Sequence, residues 1–320
     1  MNGSDAPKAR IVEATVNDSG QRVDNFLAKH LKGVPRNRIY RALRKGEVRV
    51  NGSRKKPTYQ IATGDRVRIP PIRHREVSGD VVIPGRLLEH VPVLFEDEHI
   101  MVVNKPSGLA VHGGSGMDYG LIEAMRQLGD CNGFLELVHR LDRETSGCLM
   151  LAKSRQALVN LQQQLAKQRS VRKHYLALVF GKLTPDRLEV TKKLKQVRDS
   201  DGIKRMKIDA SGQPAHTVFR VKESFGESTL VQADLLTGRM HQARTHAMGI
   251  GHAIAGDRVY GDRDFNNAVR KFGLGRLFLH AERLRIVHPI AGRQQDFLAP
   301  MPESLTSVLD KLRRGIKFDI

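Results

Sequence analysis

Charge is spread so unevenly along this chain that the sequence points to two domains rather than one. Residues 21–70 hold fourteen lysines or arginines against three acids, so more than half of the net charge of +20 lies in a sixth of the 320 residues. A solvated surface ordinarily mixes both signs. A segment that does not mix them needs a polyanion to face, and it needs a small apolar core if it is to fold at all.

The apolar spacing supplies that core. Val23, Phe26, Leu27 and Leu31 recur at helical spacing, with Asp24 near the start, where it suits the helix dipole. Gly33 ends this helix, Pro35 opens a second, Ile39 and Leu43 give the second its buried side, and Gly46 stops it. The outer face then carries Arg36, Arg38, Arg41, Arg44 and Lys45. A short strand at Val48 and Val50 meets the hairpin signal Asn51-Gly52, and Gly64-Asp65 turns the chain into Val67 and Ile69. Before all this, residues 1–20 read as a polar arm with one apolar alternation, Ile11-Val12 to Val16, that suits an edge strand. Two short helices, a basic turn and a small strand set with this spacing resemble the S4 RNA-binding domain. The resemblance implies RNA as the polyanion and assigns those five cations to it.

Pro70-Pro71 opens a stretch of scattered charge, so residues 71–87 read as a linker and 88–320 as the larger domain. With 40% hydrophobic residues the chain can bury a substantial core. No apolar run approaches about 20 residues and no lipidation signal is present, so membrane association is not expected. The first residues lack the apolar stretch of a signal peptide, which makes the cytoplasm the expected location. Cys131 and Cys148 form no disulfide framework, and each sits among apolar residues as a small buried hydrophobe would.

Within the larger domain the chemistry concentrates at His139-Arg140-Leu141-Asp142-Arg143-Glu144-Thr145-Ser146-Gly147. Apolar residues stand on both sides, so a strand is expected before and after, with the polar segment exposed between them at a cleft. On pattern alone Asp142 could equally be pairing with Arg140 or Arg143 on the surface. Residues 91–104 read as two strands joined by an acidic turn, leading into Lys105-Pro106-Ser107-Gly108-Leu109-Ala110-Val111-His112-Gly113-Gly114. A lysine and glycines at a strand end suit either a phosphate-binding loop or a tight turn. They match neither the P-loop nor a dinucleotide fingerprint, so no nucleotide cofactor is implied.

A helix over 155–169, a strand over 170–180 containing Tyr175, a charged surface excursion over 181–214 and strands at 215–221 and 229–236 follow. The last strand runs through Thr237-Gly238-Arg239-Met240 into a helix bearing His241, Arg244 and His246. The two histidines are five apart, off the interval that puts two ligands on one helical face, so no metal site is expected. Gly256-Asp257-Arg258-Val259-Tyr260-Gly261 reads as a loop, 277–289 ends as a strand, and 304–318 as a short basic helix.

Taken in order, Lys105-Pro106 to His112, His139 to Gly147, Tyr175, Thr237 to His246 and His280 to Pro289 resemble the RluA family of RNA pseudouridine synthases over roughly residues 90–300. The resemblance implies an α+β fold: a largely antiparallel mixed sheet with flanking helices and a central cleft, behind the small S4-like domain. It implies an enzyme that isomerises uridines of large-subunit (23S) ribosomal RNA without cofactor, acting as a monomer. It assigns Asp142 as the catalytic aspartate, Tyr175 as the residue against the target uracil, Arg244 as the partner of Asp142, and Arg140 as the residue that helps hold RNA open. Lys105 and His112 join the expected RNA contacts. A non-catalytic ribosome-assembly factor of the same shape is the rival expectation, but it would have no use for Asp142, Tyr175 and Arg244 together.

Overall fold

A computed structural model of the chain describes residues 9–31, 34–72, 83–114, 119–129, 133–167 and 170–318. Two compact units are formed, Met1–Val82 and Ile83–Ile320. Gly33, Cys131 and most of the linker expected at 71–87 lie outside the described residues.

In the first unit, helices α1 (Val23–His30) and α2 (Arg36–Lys45) pack Phe26, Leu27, Ile39 and Leu43 against a three-stranded sheet. The strands are β1 (Arg10–Glu13), β2 (Arg49–Val50) and β3 (Arg66–Ile69), antiparallel in the order β1-β3-β2. The apolar alternation that begins at Ile11 is the edge strand expected there, since Arg10 to Glu13 hydrogen-bond along β3. Asn51 and Gly52 take positive φ values of 50° and 76°, the conformation that favours Asn-Gly in a tight hairpin turn.

The second unit is built on β4 (Val93–Glu96), β5 (Ile100–Lys105), β6 (Glu136–Leu137), β7 (Ser146–Ala152) and β8 (Arg172–Phe180). It continues through β9 (Arg187–Val190), β10 (Leu194–Arg198), β11 (Lys204–Ile208), β12 (Thr217–Ser224), β13 (Ser228–Leu235), β14 (Leu279–Val287) and β15 (Gln294–Leu298). The main sheet runs β4-β5-β7-β14-β8-β13-β12-β9, with β15 on β14 and β6 on β7. Every pairing is antiparallel except β7 with β14. Its helices are α3 (Leu121–Leu128), α4 (Arg155–Lys167), α5 (Gln242–Met248), α6 (Arg263–Lys271) and α7 (Glu303–Arg313). This is the expected α+β architecture. The stretch 181–214, expected as a surface excursion, splits: β9 extends the main sheet along β12, and only β10 and β11 form a separate hairpin.

Central strands are apolar on both faces because helices cover both. Leu149 and Leu151 of β7 join Ala177 and Val179 of β8 in one core with α3 and α5. Cys148 and Met150 face the other way, onto α4, while Leu176 and Leu178 lie under α6 and α7. Tyr175 belongs to the first of these faces, so the alternation of β8 aims it at the side of the sheet where α5 sits. Burial pushes the Cys148 thiol up to about 12, which removes thiolate chemistry there.

At the parallel seam, Ser146 and Gly147 register with His280 and Ala281. Gly147 has φ +115°, and a Cβ there would stand 2.3 Å from the Ala281 carbonyl oxygen. Both the torsion and the close approach require glycine. Gly147→Ala is expected to destabilise the larger unit by about 3 kcal/mol, read from its denaturant-unfolding midpoint by circular dichroism.

Candidate active site

The loop between β6 and β7, the strand β8 and the start of α5 converge on one cleft of about 720 Å³, lined by Asp142, Tyr175 and Arg244 among others. Short bonds hold the loop in place. The Asp142 carbonyl accepts from Thr145 N at 3.1 Å, closing a turn around the carboxylate. The Arg143 carbonyl accepts from Gly108 N at 2.9 Å, and Ser107 Oγ donates to the Glu144 carbonyl at 2.7 Å.

Lys105 completes this attachment, and it corrects an expectation. Its side chain is fully buried, and Nζ donates to the carbonyls of Pro106 at 2.8 Å, Leu109 at 2.8 Å and Arg143 at 3.0 Å. A lysine whose three N–H groups are all spent on backbone oxygens is not an RNA contact. It fastens the Asp142 loop to the strand end of β5. Burial, and then the nearby Arg276 charge, pull the amine down to about 7, against the opposing Glu144 and Asp142 charges. Beneath the same loop, Arg276 Nη2 donates to Ser146 Oγ at 2.7 Å and Ser146 donates to His280 Nδ1 at 2.8 Å. His280 thus carries its proton on Nε2, which faces the Ala299 carbonyl at 3.1 Å, and burial lowers its pKa to about 4.

Arg244 is buried at 5% exposure. Its main partner is Asp257, which sequence reasoning passed over as part of a loop. Nε and Nη2 bind the two Asp257 oxygens at 2.7 and 2.8 Å, in the paired geometry of a guanidinium on a carboxylate. Only Nη1 is left for Asp142, at 3.5 Å from Oδ2. Arg244 therefore reaches Asp142 as expected, yet it is oriented by a different acid. The Arg244 guanidinium lies 5.0 Å from the centre of the Tyr260 ring.

His241 is the second residue missed. It caps α5 with φ 49°, and its Nδ1 lies 2.8 Å from the Tyr260 hydroxyl, whose oxygen accepts from Met206 N at 2.8 Å. The other ring nitrogen, Nε2, stands 4.0 Å from Asp142 Oδ2. Burial lowers the His241 pKa, so the neutral ring is the resident form. The signal available in sequence was the spacing of three between His241 and Arg244, which places both on one side of α5.

Tyr175 is 6% exposed, and its hydroxyl has no hydrogen-bond partner among the described residues. Burial first, and then the Asp142 charge, push its ionisation upward, so the phenol stays protonated. His139 also lines the cleft; its Nε2 accepts from Met150 N at 3.2 Å, and burial holds it neutral with a pKa of about 4. Arg140 and His112 are exposed at the cleft. In the first unit, Arg36, Arg41, Arg44 and Lys45 are exposed, whereas Arg38 turns to Glu47 at 2.8 Å.

A family model described as RNA pseudouridylate synthase matches residues 99–248, and one described as S4 domain matches residues 21–67. Ribosomal large subunit pseudouridine synthase C of Escherichia coli (strain K12) is 46% identical over 319 residues, 98% of this chain and 99% of that protein. The chain belongs to the RNA pseudouridylate synthase family. The namesake of synthase C in Haemophilus influenzae (strain ATCC 51907 / DSM 11121 / KW20 / Rd) is also 46% identical, covering 96% of each chain. Among solved structures, Human RNA Pseudouridylate Synthase Domain Containing 4 superposes with a TM-score of 0.57 at 26% identity, over 72% of this chain and 95% of that one. The family resemblance carried by the five motifs is thereby borne out. Among the described residues of this synthase no cluster of three or more His, Cys, Asp or Glu is placed to hold a metal, and no helix is long and apolar enough to cross a membrane.

Two substitutions separate anchoring from chemistry in the synthase. Lys105→Met leaves three carbonyls without their donor and should cost about 3 kcal/mol of stability in denaturant titration, while the salt dependence of RNA binding stays as in the wild type. Asp257→Asn keeps the shape but loosens the Arg244 fork. The single-turnover rate should fall on the order of 10²-fold with RNA affinity unchanged in filter binding.

Proposed function

We propose that this synthase isomerises specific uridines of large-subunit (23S) ribosomal RNA to pseudouridine, with Asp142 as the reacting carboxylate, Tyr175 as the platform for the uracil and Arg244 as the group that orients Asp142. The observation that carries the reading is the meeting of these three side chains, from segments far apart in the chain, around one cleft. The names of the relatives support the RNA class, and the S4 unit supplies a polyanion-binding element of matching charge.

The reaction breaks the bond between N1 of uracil and C1′ of ribose, turns the base, joins C5 to C1′ and releases the proton from C5. Nothing is oxidised and no group comes from outside, so the chemistry itself calls for no cofactor. A carboxylate can open the sequence by attacking the sugar or the base, or by taking a proton from the sugar. Each route needs an ionised carboxylate free to approach the substrate. Asp142 is placed for this: its side chain is 26% exposed toward the cleft, and Arg244 Nη1 and His241 Nε2 face it at 3.5 and 4.0 Å without a short bond to either.

A uridine in folded RNA must leave the stack before any of this, at a cost of a few kcal/mol, and aromatic stacking returns about 1–3 kcal/mol per base. Tyr175 provides that surface, and Arg140 at the rim helps hold the opened strand. Because the Tyr175 phenol stays protonated, it serves as platform and donor rather than as the resting base. Asp142→Asn should abolish pseudouridine formation, detected by pseudouridine-specific chemical labelling of ribosomal RNA, while RNA affinity stays within a few-fold. Full turnover by that variant would refute the assignment.

A further inference from the structure

On α2, Asn37, Tyr40, Arg41 and Arg44 fall at i, i+3, i+4 and i+7, a single stripe on the side away from the buried Ile39, Ala42 and Leu43. With Pro57 they line a groove of about 490 Å³. Cations on this surface are what the charge balance of the unit leads one to expect. An aromatic ring held among them is not, since a solvated helix face has no use for one.

The ring is fixed from below. Tyr40 donates its hydroxyl proton to Asp24 Oδ2 at 2.8 Å, and Asp24, 3% exposed, is itself gripped by Arg22 Nε at 3.0 Å and Nη2 at 2.8 Å. With its polar end satisfied inside the unit, Tyr40 offers the groove an apolar aromatic surface. Arg41 and Arg44 differ from the neighbouring Arg22 and Arg38, which are paired with Asp24 and Glu47. They have no carboxylate partner among the described residues and are exposed. An immobilised aromatic flanked by two unspent guanidiniums is the arrangement that takes a base on its face and the adjoining phosphates on the charges.

We propose that this groove is a nucleotide-binding site for an unpaired residue of the substrate RNA, with the base stacked on Tyr40, Asn37 at the base edge, Pro57 as an apolar wall and Arg41 and Arg44 on the flanking phosphates. The proposal rests on reading the S4 unit as an RNA-binding element, and it adds a preference that phosphate contacts alone cannot give. Bases inside a duplex are already stacked on each other, so the occupant comes from a bulge, a loop or a strand end.

The test uses the full-length protein and three uridine-free RNA hairpins, which give the catalytic cleft no target base: one with a single bulged adenosine, one with an abasic residue at the bulge, and one fully paired. In fluorescence anisotropy the wild type should bind the bulged adenosine about tenfold more tightly than the abasic hairpin. Tyr40→Ala should remove this preference and leave the fully paired hairpin unaffected, and Tyr40→Phe, which keeps the ring, should retain most of it. The chain has no tryptophan, so Tyr40→Trp gives a lone fluorophore that the bulged adenosine should quench and the abasic hairpin should not. Arg41→Gln and Arg44→Gln should weaken all three hairpins and reduce the salt dependence. Unchanged preference in Tyr40→Ala, or an unquenched Tyr40→Trp at saturation, would overturn the stacking site. If the arginine variants still lose affinity, the RNA-binding reading of the unit survives that result; if they lose none, both readings fall together.

Discussion

One buried guanidinium faces two carboxylates, and the arrangement of the cleft follows from how it is shared. Removing charges from water is expensive, and a buried ion must recover most of that cost from geometry. Arg244 does so with Asp257, which is 1% exposed and takes two short bonds at 2.7 and 2.8 Å. That pair is electrically satisfied and fixed. Asp142 receives the remainder of the cation's field from Nη1 at 3.5 Å, close enough to be oriented and too far to be consumed. Had Arg244 forked onto Asp142 instead, both carboxylate oxygens would be occupied and the substrate would compete with the protein for them. A dedicated structural acid lets the same arginine serve a reactive one.

The backbone below Asp142 is held with comparable economy. A loop that must keep a carboxylate at a cleft wall cannot rely on exposed ion pairs, which are worth little and move freely. Arg143 and Glu144 make such a pair at 2.9 Å on the surface, with both side chains substantially solvated. What fixes the loop is interior: the Lys105 ammonium on three carbonyls, and Gly147 pressed onto β14 at the parallel seam. The seam brings β7 beside β14, which also pairs with β8, so Asp142 before β7 and Tyr175 on β8 arrive on one side of the sheet.

Much of this was legible in the sequence, and the failures have physical causes. Asp142, Tyr175 and Arg244 were named from the resemblance that the ordered motifs carry, and the fold brings the three to one cleft. Asp257 was not named, since an aspartate between glycines in Gly256 to Gly261 has the composition of an exposed turn. Its burial is decided by Arg244, thirteen residues earlier, which no local pattern reports. Lys105 was misread for the converse reason. A lysine beside proline and glycine looks like a phosphate loop, and whether its side chain points out or in depends on three carbonyls, one of them 38 residues away. The same nonlocality hid β9: four residues of weak alternation gain their place by pairing with β12. In the first unit the helices, the turn, the charge asymmetry and the edge strand β1 were readable from local spacing, but the partner of β1, β3, lies more than fifty residues on and no local pattern names it.

The cleft carries few titrating groups near neutrality, and this bears on how it can work. His139 and His280 are held neutral with pKa values of about 4, and burial lowers His241 as well. Three histidines in and under an active site would ordinarily suggest proton shuttling near pH 7. Here they act as fixed dipoles: His139 accepts from the Met150 backbone, His280 connects Ser146 to Ala299, and His241 is held by the Tyr260 hydroxyl at Nδ1 with Nε2 toward Asp142. Such preorganised donors and acceptors cost no rearrangement as charge develops on substrate. In the proposed reaction the acceptor of the C5 proton is the Asp142 carboxylate, once released from its part in the first step, or solvent at the open side of the cleft. The partial solvation of Asp142 suits that proposed reading, because a carboxylate that faces the cleft can meet the substrate at either stage.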